Sequence, residues 1–116
     1  MAEHFDETEL LERVDNDVAF LAETVEMLVS DGPALLASIR AALDAGDAGA
    51  LGRHAHALKG MISNFCAPAT QEQALALEKM GKCGDLAGAP GSLTAPEQSV
   101  ASLTGELQNF VRARAG

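Results

Sequence analysis

The chain has 116 residues, 47% of them hydrophobic but only 3% aromatic, and a formal net charge of −9 at pH 7. That length suits one domain with a helical core of its own, and the acidic balance argues against a nucleic-acid backbone as partner. No apolar run approaches the ~18 residues of a membrane span and the first residues lack a secretory leader, so a cytoplasmic protein away from the membrane is expected.

An Ala-rich composition without Trp or Tyr favours closely packed helices over a β-sandwich. Residues 1–31 hold ten acids and one Arg, whereas residues 32–116 hold seven acids and seven bases, so the acidity belongs to the N-terminal part. The four Phe residues, Phe5, Phe20, Phe65 and Phe110, are spread along the chain, and each is expected to anchor a different helix in the core. Cys66 and Cys83 read as reduced, buried small hydrophobes rather than a bridge.

In chain order, Phe5 to Val14 predicts a short amphipathic helix with Leu10, Leu11 and Val14 inward, and Asp15-Asn16-Asp17 offers caps for the next. A second helix is expected from Asp17 to Ser30, burying Val18, Leu21, Val25, Leu28 and Val29 and leaving Phe20, Thr24 and Met27 to one side. Gly32-Pro33 then reads as a break, because the residue before proline is pushed from the α region and proline favours a new first turn. A third helix follows from Pro33 to Leu43, with Gly46 as its stop and Asp47 as the next N-cap.

Within Ala50 to Phe65 the residues Leu51, Ala55, Leu58, Ile62 and Phe65 recur at helical spacing and stay within roughly 40° of one direction. His56 points roughly 140° away from that stripe, toward solvent. Gly52, Lys59, Gly60 and Ser63 are expected beside it on the outer face, a bare and locally cationic patch. Gly60 costs about 1 kcal/mol relative to Ala in a helix, which close approach of another surface would explain.

Ala67 to Thr70 reads as a tight connection, Thr70 to Lys82 as a fifth helix, and Gly84 to Pro96 as a mobile surface loop. Thr94-Ala95-Pro96-Glu97 has the form of a capping box, opening a last helix with Val100, Leu103, Leu107, Phe110 and Val111 inward. The expected fold is all-α: an antiparallel four-helix bundle over about 33–114, with two additional N-terminal helices over about 5–30, as a single domain spanning 1–116. No repeat and no Gly-rich phosphate loop is found.

The run Ala55-His56-Ala57-Leu58-Lys59-Gly60, with Asn64, Ala67, Leu77-Glu78 and Lys82 after it, resembles the histidine-containing phosphotransfer (HPt) domain of multistep phosphorelays. Leu10 to Val14 and the Ala45-Gly46-Asp47 turn are similar to that family as well, so the likeness covers most of the chain. It implies that His56 accepts a phosphoryl group from one receiver-domain aspartate and gives it to another. It also implies a carrier rather than an enzyme, without a cofactor of its own, with Mg²⁺ on the partner receiver. Receiver domains are the implied partners, with a hybrid histidine kinase among the candidates, and a monomer suits a single exposed histidine.

Histidine fits that task because its neutral imidazole is abundant near pH 7 and nucleophilic, provided that one nitrogen is bare and the other holds the proton. The resemblance matches Glu78 to a Glu or Gln that reaches the imidazole, Lys59 to a cation that neutralises the phosphoryl group, and Lys82 to a basic position one turn beyond Glu78. Read without it, Glu78 is a surface carboxylate and Lys59 a solvated lysine. Phe20 and Met27 are either boundary packing or, as the resemblance implies, docking residues together with Gly52, Gly60 and Ser63.

His54 lies roughly 160° around the axis from His56, which fits boundary packing and weakens a zinc site shared by the two with the cysteines. One departure stands out: Cys66 occupies a position where the family usually has glycine, which matters if the backbone there needs positive φ. Two other classes compete with the carrier. One is a non-phosphorylated docking bundle; the other is a kinase dimerisation domain, disfavoured by Lys59-Gly60 after the histidine and by the lack of an ATP-binding domain.

Overall fold

A computed structural model of the chain describes residues 5–84, 86 and 89–115. Among them are five α-helices, α1 (Glu7–Arg13), α2 (Val18–Asp44), α3 (Ala48–Ile62), α4 (Pro68–Cys83) and α5 (Ala89–Ala115), one 3-10 turn (Ser63–Phe65) and no strand. The all-α class is as expected, but the six separate helices are five. The second N-terminal helix and the first bundle helix are one 27-residue element, with Pro33 inside it.

Pro33 removes one backbone donor, yet Leu21, Val25, Leu28, Gly32, Leu36, Ile39 and Ala42 make an unbroken buried stripe on both sides of it. Packing against α3 and α5 along that stripe outweighs the local preference for a break. The same override corrects the C-terminal reading. Ala89 to Pro96 belongs to α5 rather than to a loop, Leu93 being fully buried there, while residues 85, 87 and 88 lie outside the described residues. Thr94 and Pro96 are therefore inside a helix and not at its start. Glu97, expected in a capping box, instead accepts two hydrogen bonds from Arg40 Nη2 of α2 at 3.0 and 3.1 Å.

Other start signals hold. Asp17 Oδ1 accepts from Phe20 N and Asp47 Oδ1 from Ala50 N, both at 3.0 Å, capping α2 and α3. Gly46, at φ 69°, makes the turn between them. Pro68 is not part of a connection but the first residue of α4, where its missing N–H costs no intrahelical bond.

α2 contacts α3 and α5, and α4 contacts α3 and α5, so the four long helices enclose one core. Leu51, Ala55, Leu58, Ile62 and Phe65 are all buried in it, as are Leu77, Leu103 and Leu107 from the flanking helices. Each of the large side chains contributes about 1.5–3 kcal/mol by leaving water. Phe5 and Phe110 meet edge to face at 5.4 Å between centroids. Phe20 is not a core anchor: it is 53% exposed, because α2 turns Leu21 rather than Phe20 toward the interior.

Asp6, the N-cap of α1, and Arg13, its last residue, hold the turn that ends α3. Asp6 N donates to Cys66 O at 3.0 Å, and Arg13 Nη1 to Ser63 O at 2.7 Å. Cys66 is left-handed at φ 55°, ψ 47°, so the departure from glycine falls where the backbone does need positive φ. Its thiol is free and buried, and burial pushes the thiol pKa up. Cys83 is free but exposed, against expectation, because it ends α4 on the solvent side.

Candidate functional site

The site is made where α4 crosses α3. A Cβ on Gly81 would lie 2.5 Å from Gly52 Cα and 2.8 Å from Ala48 O, so only glycine lets the two backbones approach this closely. Gly52 is correspondingly buried. The expectation that it is exposed on the outer face is corrected, because α4 covers that side of the helix, although Gly52 does line the hollow beside His56. One turn from this crossing, Glu78 on α4 meets His56 on α3.

Glu78 is only 3% exposed at its side chain, yet both oxygens are used. Oε2 lies 2.8 Å from His56 Nδ1 and 3.2 Å from Lys82 Nζ, and Oε1 lies 2.7 Å from Lys59 Nζ. The Lys59 hydrogen bond, aided by those from His56 and Lys82 and opposed by burial, pulls the Glu78 carboxyl from 4.5 down to about 2. An ionised carboxylate only accepts, so Nδ1 of His56 is the nitrogen that carries the proton. In the neutral ring Nε2 then keeps its lone pair, and the side chain is 68% exposed.

Beside the imidazole is an open hollow of about 310 Å³ whose lining includes Arg53, His56, Glu78, Gly81 and Lys82. Lys59, half-buried, approaches Glu78 from outside that lining. Gly60 is exposed with no atom within 4 Å of its Cβ position, and half-buried Ser63 donates from Oγ to Gly60 O at 2.6 Å. Phe20 and Met27, at 53% and 59% exposed, sit on the outside of α2 and do not line the hollow.

His54 lines a different hollow, with Asp31, Ala34, Leu35, Ser38 and Met61, so the two histidines of α3 share no site. Two residues escaped sequence reasoning. Gly81 carries no signal of its own within the helix, and only its conjunction with Gly52 on a facing helix marks a close crossing. Arg53, three residues before His56, is the other, although that spacing puts it on the neighbouring turn.

A family model described as the Hpt domain matches residues 23–114. The crystal structure of histidine-containing phosphotransfer protein B from Pseudomonas aeruginosa PAO1 is similar at a TM-score of 0.88 and 28% sequence identity, covering 97% of this chain and 98% of that one. No curated protein sequence matches the chain. No helix among the described residues is long and apolar enough to cross a membrane.

Proposed function

The chain belongs to the Hpt domain family and works in histidine phosphotransfer within phosphorelay signalling, and on that premise we propose that His56 is the residue that carries the phosphoryl group. The observation that supports this assignment is the 2.8 Å bond from Nδ1 to an ionised, buried Glu78, which leaves Nε2 bare at the surface. The Nε2 lone pair attacks phosphorus of an aspartyl phosphate on a receiver domain. A P–N bond forms, the P–O bond to aspartate breaks, and its electron pair returns to the aspartate as carboxylate. Nδ1 keeps its proton throughout, and the positive charge gained by the ring is balanced by Glu78 beneath it.

The reverse sequence passes the group to a second aspartate. Lys59 and Lys82 offset the roughly two negative charges of the phosphoryl group. On this reading α2 to α5 are an antiparallel four-helix frame, α1 is a brace, and the chain acts as a single cytoplasmic, monomeric carrier. The catalytic groups and Mg²⁺ then belong to the receiver. Gly60 and Ser63 let a receiver come close to the imidazole, and Phe20 and Met27 extend the docking surface.

Incubation with a phosphorylated receiver tests this directly. Acid-labile label is expected on the wild-type and His54→Gln proteins and absent from His56→Gln. Unlabelled wild-type protein that still binds the receiver would show a docking bundle instead.

A further inference from the structure

We infer that Arg53 is a second phosphoryl-binding residue, the cation that meets the group once it sits on His56; this rests on the carrier reading above. Lys59 and Lys82 are both engaged by Glu78, at 2.7 and 3.2 Å. Arg53 is exposed and makes no ion pair or side-chain hydrogen bond among the described residues, yet it lines the same hollow as His56. Among the described residues it is therefore the cation of that hollow with no anion to give up before it meets a new one.

The direction of the side chains supports the same pairing. Helical side chains lean toward the N-terminus, so a group on the imidazole of His56 lies over the preceding turn, which holds Gly52 and Arg53. Arg53 Nη1 and Asp47 Oδ1 both lie beside Gly49, 3.5 and 3.6 Å from where its Cβ would be, but Asp47 Oδ1 accepts from Ala50 N and forms no ion pair with the guanidinium. A planar guanidinium offers two parallel donors to phosphoryl oxygens, which an ammonium does not. Arg53 approaches from the α3 side of the hollow and Lys82 from the α4 side, so an anion between them is held from two helices.

The test is a ³¹P NMR titration of the phosphorylated protein, loaded from a phosphorylated receiver. A cation touching the phosphoryl oxygens disfavours their protonation, so Arg53→Ala and the shape-keeping Arg53→Gln are each expected to raise the phosphoryl protonation constant about two- to fivefold, as befits a solvent-exposed ion pair. The transfer equilibrium with the receiver should move toward aspartyl phosphate by the same factor, with partial recovery in Arg53→Lys. Thermal melts of the unphosphorylated variants should match wild type, since the exposed side chain makes no ion pair or hydrogen bond among the described residues. An unchanged protonation constant in both variants, or an effect confined to receiver affinity, overturns the assignment while leaving His56 as carrier. Failure of the wild-type protein to take label overturns both.

Discussion

Replacing Gly81 by Ala tests whether the close crossing of α3 and α4 is what sets up the histidine. The added Cβ would fall 2.5 Å from Gly52 Cα, where carbon atoms ordinarily meet at about 3.5–4.0 Å, so the helices must part by about 1 Å. That separation stretches the 2.8 Å contact from His56 Nδ1 to Glu78 past the limit of about 3.5 Å at which a hydrogen bond survives. Overpacking of this kind costs about 1–3 kcal/mol. Ala gains about 1 kcal/mol over Gly in a helix, so the net loss should be up to about 2 kcal/mol.

Gly52→Ala is the internal control, because a Cβ there meets its nearest atoms at 3.6 Å, an ordinary contact, and should leave stability unchanged or raised. Urea unfolding reads the first quantity, and ¹⁵N NMR of the imidazole, which distinguishes the protonated from the bare nitrogen, reads the second. If Gly81→Ala is as stable as wild type and keeps the Nδ1 proton, helix proximity does not govern the pair.

Three further outcomes are expected. The folded-state carboxyl of Glu78 titrates near 2 against an ordinary 4.5, so the folded state binds that proton less readily than the unfolded one. Its contribution to stability is complete above about pH 4.5 and is lost as pH falls toward 2, and urea midpoints over that range should show a slope that Glu78→Gln removes. Gly60→Ala, with no atom within 4 Å of the new Cβ, should raise stability by about 1 kcal/mol while slowing transfer from the receiver, as melts and transfer kinetics will show. Cys66→Val places a β-branched side chain at φ 55° and should cost about 2 kcal/mol in unfolding experiments, a conformation that Cys66→Gly adopts without strain.

Periodicity and caps were legible because they are local. The five-residue stripe of α3 is buried as its spacing predicts, and Asp17 and Asp47 cap where expected. His56 faces outward for the same reason. Glu78 as its acceptor came from the resemblance, since no property of one helix fixes what the next one offers. Pro33, Pro96 and the Thr94 capping pattern misled because each is a local signal overruled by burial on other helices: Gly32 packs against Val100 and Leu93 is fully enclosed. Gly52 misled for a related reason, since its angle on α3 is outward from one core direction while a second neighbour covers that side.

Glu78 lies beneath the surface and His56 above it. Whatever protein arrives at the ring finds the tautomer already chosen, by a group it has no access to and cannot displace. On the carrier reading proposed above, different visitors therefore encounter one and the same nucleophile. Selectivity among them is left to the periphery, and new partners can be accommodated by altering exposed side chains without retuning the chemistry.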